Sequence, residues 1–161
     1  MSMICYLRAA NDSEIARLLQ EPDLIHDFLE EKLEEIDLEK AWHGIHFLLT
    51  RSQWEGEEPL CYLVSGGKTI GDVDVGYGPA RALTSKLVAS FNVALSGISS
   101  DDLRQRYNPK ALAKAEIYPE IWDSDPAEEE GIGYLVEMFE DLKAFVAKTS
   151  EQKKGMVIYL A

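Results

Sequence analysis

Only three histidines occur among the 161 residues, and two of them, His43 and His46, stand three apart beside Trp42 in the stretch KAWHGIHFLLT, Lys40 to Thr50. Imidazoles at that spacing on a helix can share a metal ion or handle a proton near neutral pH. A zinc centre needs a third and usually a fourth ligand, and spacing supplies none here, although His26 and many acids lie nearby in the chain. Helical phase separates the pair. At about 100° per residue, Leu38, Ala41, Trp42, Ile45, Leu48 and Leu49 share an apolar arc of roughly 120°. His46 lies about 80° from Leu38, and His43 about 140° away. The expectation is therefore a half-buried, hydrogen-bonded His46 beside Trp42 and Leu49, with His43 turned towards solvent or another element. No metal, cofactor or catalytic residue is assigned.

Two glycine-rich stretches invite phosphate-binding readings and fail them. In VSGGKTIG the P-loop pattern requires a glycine where Tyr62 stands, so Gly66 and Gly67 read as a turn. In GYGPAR the third glycine of a dinucleotide fingerprint is replaced by Arg81, and Pro79 removes a backbone donor. What remains is a glycine turn that displays Tyr77 and feeds a strand. Arg81 is expected to pair with a carboxylate of the protein, or alternatively to fork onto an anionic ligand.

The loop EIYPEIWDSDP gathers Glu116, Tyr118, Glu120, Trp122, Asp123 and Asp125, which could do acid–base work or bind a cation. Its spacing matches no calcium loop, and a tyrosine and tryptophan that pin the loop to the core explain it as well. The chain has no Gly-x-Ser-x-Gly elbow and no marked Cys–His pair. Cys5 and Cys61, far apart in apolar surroundings, read as buried free thiols.

The elements that must position these groups read as one α+β domain over residues 1–161. MICYLRAA and MVIYLA are apolar strands at opposite ends, expected to meet in a small sheet of three or four strands packed against six or seven helices. Asn11, Thr84, Ser100 and Asn108 offer N-terminal caps. A helix opened by Pro22 should carry Leu24, Ile25, Phe28, Leu29 and Ile36 on one stripe, and Asp37 should cap the histidine helix. Gly66 to Gly78 reads as a long turn-rich connection before the strand ARAL, and a long helix runs from about Glu128 to Lys148.

Net charge is −13, concentrated in residues 21–40, with nine acids and two lysines, and in residues 120–141, with nine acids and no base. Such a surface disfavours nucleic acid. The N-terminus resembles neither a signal peptide nor a membrane span, so no membrane association and a cytoplasmic location are expected.

MSMICYLRA, DLEKAWHGIHFLLT, GDVDVGYGPARALT, AEIYPEIWD and the closing strand, in this order, resemble the YfbM-like family of uncharacterised bacterial proteins. The resemblance rests on Asp37, Ala41, Trp42, Ile45 and His46, on Gly76, Gly78, Pro79, Ala80 and Arg81, and on Ile117, Tyr118, Pro119 and Trp122. Ser2 and Cys5 depart from it, standing where glycine is common. The resemblance implies a mixed α/β cytoplasmic protein and no particular reaction.

Two functions follow as expectations. The first is action by binding a protein partner, a basic one being favoured by the negative charge, in an immunity-type or regulatory role. The second is a small-molecule site, with or without catalysis, formed by His46, Tyr77, Arg81, Tyr118 and Trp122. The oligomeric state is not legible.

Overall fold

The computed structural model describes residues 2–122 and 129–161. The chain runs β1 (Cys5–Ala10), α1 (Asp12–Gln20), α2 (Ile25–Glu30), β2 (Glu35–Asp37), α3 (Trp42–Thr50), β3 (Lys68–Asp74) and β4 (Pro79–Leu83). It continues through α4 (Ser85–Ser96), α5 (Ser100–Arg106), α6 (Pro109–Lys114), α7 (Glu129–Glu151) and β5 (Gly155–Leu160). This is an α+β fold.

The two terminal strands do meet. β1 pairs antiparallel with β5 over its whole length, from Cys5 opposite Leu160 to Ala10 opposite Gly155. Around this central pair the sheet is antiparallel throughout, in the order β2-β1-β5-β4-β3. It has five strands, not three or four, because two segments read otherwise join its edges. Ile36, expected on a helical stripe, lies in β2, where Ile36 pairs Leu7 and Glu35 pairs Arg8. The helix stops at Glu30, and Glu31 is already extended. Consequently α3 begins later than Asp37 suggested, at Trp42 after Ala41. The glycine-rich stretch contains β3, whose Thr69 pairs Arg81 of β4, with a register shift between Thr69 and Asp74. Gly71 lies in this irregular part at φ +55°, and a β-carbon there would come within 2.6 Å of Pro22.

Strand alternation gives the sheet two chemically different faces. Cys5, Leu7, Leu83, Met156 and Ile158 face the larger core with Trp42, Ile45, Phe91, Leu135 and Phe139. Ala10, Ala80, Ala82 and Val157 face a smaller core under Ile15, Leu18, Ile25 and Phe28. Since Arg81 lies between Ala80 and Ala82, its side chain leaves on the larger-core side. No helix among the described residues is long and apolar enough to cross a membrane.

Capping follows side-chain chemistry. Asn11 closes a capping box with Glu14, Thr84 accepts from Leu87 N–H, and Asn108 accepts from Lys110 and Ala111 N–H. For α5 the capping oxygen belongs to Ser99, one residue earlier than expected.

Candidate functional site

Helix α3 is apolar nearly all round, and Trp42, His43, Gly44, Ile45, His46, Leu48 and Leu49 are all buried. Such a helix needs cover on every side. The 117–122 loop and Trp54 cover the side away from the sheet. His43 is therefore fully enclosed: of the two expected directions, solvent or another element, it takes the second.

The hydrogen bonds of His43 fix its state. Its Nδ1 accepts from the backbone N–H of Tyr118 at 2.8 Å, so that nitrogen carries no proton. Its Nε2 lies 2.8 Å from the Gln53 carbonyl, which can only accept, so Nε2 bears the proton. The ring is a neutral bridge between two loops, and burial lowers its pKa in keeping with this. It stacks on both Trp42 and Trp54, with ring centroids at 5.0 Å and 4.3 Å, and the two indoles are themselves 6.2 Å apart. Trp42 also stacks on Tyr118, and its indole N–H donates to the Met3 carbonyl at 2.9 Å. Tyr118 Oη accepts from Met3 N–H at 2.8 Å. Trp122 is buried against Gly44 and donates from Nε1 to the Ile117 carbonyl at 2.9 Å. Asp123 and Asp125 lie outside the described residues.

His46 is equally enclosed. Its Nε2 is 3.3 Å from Thr50 Oγ1, and its Nδ1 has no hydrogen-bond partner. The Thr50 proton is directed at the His46 carbonyl, 2.9 Å away, which leaves the Thr50 oxygen to accept from Nε2. Burial, reinforced by His43 and by the charge of Arg81 and opposed by the Glu55 backbone, pulls the His46 pKa down to about 4. Among the described residues no group of three or more His, Cys, Asp or Glu side chains is placed to hold a metal ion.

Arg81 differs from its expected role. Its guanidinium donates to the carbonyls of Tyr62 at 2.7 Å and Gly66 at 3.1 Å, and no carboxylate of the described residues pairs with it. Gly66 and Gly67 allow this arrangement through φ of +88° and +70°, and a β-carbon on Gly67 would lie 2.5 Å from the Ala82 carbonyl oxygen. Burial lowers the Arg81 pKa, while Cys5 and Cys61 beside it act in the opposite sense. The Cys5 thiol is itself pushed up to about 12 by burial, so it stays protonated and unreactive at neutral pH.

Tyr77 stands where the glycine turn was expected to display it, 39% exposed. Asp74 Oδ1 accepts from both Gly76 and Gly78 N–H at 2.9 Å, which lowers its pKa, and Tyr77 N–H donates to the Leu160 carbonyl at 3.0 Å. Tyr77 and Arg81 line one cleft of about 210 Å³, together with Thr69 and the apolar side chains of Leu63, Val64 and Ile158. The structure thus brings two of the five candidate residues together. His46, Tyr118 and Trp122 belong to the packing around α3, with His46 close enough to feel the charge of Arg81.

The chain has relatives among known proteins. Residues 1–159 match the family described as "Domain of unknown function (DUF1877)". The chain belongs to this family. Protein YfbM of Escherichia coli strain K12 is 29% identical over 136 residues, which cover 80% of each chain. The crystal structure of YfbM from Escherichia coli, titled as a protein of unknown function, superposes with a TM-score of 0.79 at 24% identity, covering 98% of this chain and 99% of that one. The second likeness shows that the fold is shared. Family membership brings no substrate or partner with it.

One buried charge escaped the sequence reading. Arg8 in β1 is 4% exposed and forms an ion pair with Glu35 at 3.0 Å. It also donates to the carbonyls of Phe28 and Glu31 and lies over the Phe28 ring. Tyr159 Oη donates to the same Glu35 oxygen at 2.8 Å. An arginine inside an otherwise apolar strand was the available signal.

Proposed function

We propose that this family member acts by binding a basic protein segment, through contact and not through chemistry. The observation that carries the reading is a cleft of about 250 Å³ between α1 and α2. Leu18, Leu24 and Phe28 form its apolar side, while Glu14, Asp27 and Glu31 bring carboxylates to it. Arg17, also at the cleft, is partly neutralised by Glu21 at 3.7 Å. A lysine or arginine can lay its methylene stem on such a surface and present its charge to the rim. The surrounding residues 21–40 hold nine acids against two lysines, a field that accelerates capture of a cationic partner.

The test is affinity capture from cells that make the protein, at low and at moderate salt, with the unaltered chain and with Glu14→Gln, Asp27→Asn and Glu31→Gln combined. Glutamine at position 14 retains an oxygen for the Asn11 capping box, so the fold should persist. A stoichiometric, salt-sensitive basic partner is expected, and the triple variant should lose it. Capture that is indifferent to salt and to the triple substitution counts against the reading.

A further inference from the structure

Arg81 is an anomaly of charge. The chain has 29 acidic residues against 16 lysines and arginines, yet this largely enclosed arginine has no acidic partner among the described residues. Two backbone carbonyls accept from it, but dipoles do not supply a full countercharge, and a desolvated cation gains most from an anion. A guanidinium has five N–H donors, and the carbonyls of Tyr62 and Gly66 use two. Three remain, enough for a forked bond to a carboxylate.

The surroundings narrow the ligand. The cleft beside Arg81 combines the hydroxyl-bearing Thr69 and Tyr77 with an apolar wall of Leu63, Val64 and Ile158. At about 30 Å³ per water, 210 Å³ holds about seven waters, which suits a molecule of roughly that many heavy atoms or a few more. Among the described residues Arg81 is the one cation lining the cleft, so a monoanion is matched and a phosphate dianion would be left half neutralised. Only a carboxylate with a short apolar tail uses both the charge and the wall.

We infer that the cleft between the Leu63–Val64 turn and strands β3, β4 and β5 binds a small apolar monocarboxylate, held by Arg81 through its three uncommitted donors. This site lies on the opposite face of the sheet from the α1–α2 cleft and does not depend on the partner-binding reading. The inward glycines Gly66 and Gly67 serve it by bringing the carbonyl-bearing turn onto the guanidinium, which fixes the fork before a ligand arrives.

The experiment is an amide chemical-shift titration of the full chain with 4-methylpentanoate and with phenylacetate. Phenylacetamide, of the same shape without the charge, and inorganic phosphate serve as controls. Saturable shifts centred on Thr69, Tyr77, Arg81 and Ile158 are expected with the carboxylates and not with either control. Arg81→Lys should weaken the carboxylates by about tenfold, because an ammonium lacks the planar fork. Failure of both carboxylates to saturate, equal response to the amide or phosphate, or shifts centred elsewhere overturns the inference. The carboxylate–amide comparison uses the unaltered protein, so it decides the matter even where the lysine variant does not fold.

Discussion

Replacing His46 by leucine should remove a defined part of the acid sensitivity of this protein. The histidine is fully enclosed, and its pKa is pulled from an ordinary 6.5 to about 4. Between those values the unfolded chain takes up a proton that the folded chain refuses, so stability rises with pH there. The contribution is whole above about pH 6.5 and is lost as pH falls towards about 4. Linkage with these two values gives a loss of about 2 kcal/mol between pH 7 and about pH 5 from this residue. His43, whose pKa is also lowered, adds to the loss in the same direction. Leucine at position 46 removes an enclosed Nδ1 without a hydrogen bond of good geometry, a weak 3.3 Å contact with Thr50 and the interaction with the Glu55 backbone. At neutral pH these effects nearly offset, leaving a change within about 1 kcal/mol. Urea unfolding followed by tryptophan fluorescence at pH 7 and about pH 5 measures both quantities, and the drop between them should shrink by about 2 kcal/mol in the variant. An undiminished drop in the leucine variant refutes the argument, because it would mean that His46 is protonated alike in both states.

The other expectations concern groups whose partners are fixed by the fold. His43→Leu strips partners from the Tyr118 N–H and the Gln53 carbonyl, and at about 1–3 kcal/mol for each group left bare it should cost about 2–6 kcal/mol in urea unfolding. Arg8→Met leaves Glu35 without its cation and takes one of two donors from the Phe28 and Glu31 carbonyls, each of which keeps a backbone N–H; a destabilisation of about 2–4 kcal/mol is expected, and a neutral result would show that the ion pair merely balances its desolvation. Gly67→Ala places a β-carbon 2.5 Å from a backbone oxygen at φ +70°, so its thermal midpoint should fall by an amount equivalent to about 1–3 kcal/mol.

What the sequence disclosed depended on how local the determining contact was. The terminal strands were legible because their apolar runs demand cover, and the caps at Asn11, Thr84 and Asn108 because each side chain bonds a backbone group two or three residues ahead. Strand β2 was not, since three residues gain strand character only by pairing with Tyr6, Leu7 and Arg8. β3 was hidden by Gly71 within it and the glycines on either side, which mark a bulge as readily as a turn. Helical phase placed the larger arc of α3 correctly but could not say what covers its far side. For His43 that cover includes the Tyr118 loop, 75 residues away in sequence.

Two arginines, Arg8 buried and Arg81 half-buried, give the clearest reason to treat the β3–β4–β5 cleft as a site. Arg8 and Arg81 sit on neighbouring strands of β5 but on opposite faces, and each donates to two backbone carbonyls. Arg8 is additionally held by Glu35, whose oxygen is shared with Tyr159, so its charge is answered within the protein. Arg81 has the same carbonyl cradle and a cleft where the carboxylate would be. An arginine required only to tie a turn to a strand could be replaced by a neutral donor at less desolvation cost. The charge is useful where an anion arrives from solution, and the cleft is the route by which one can reach it.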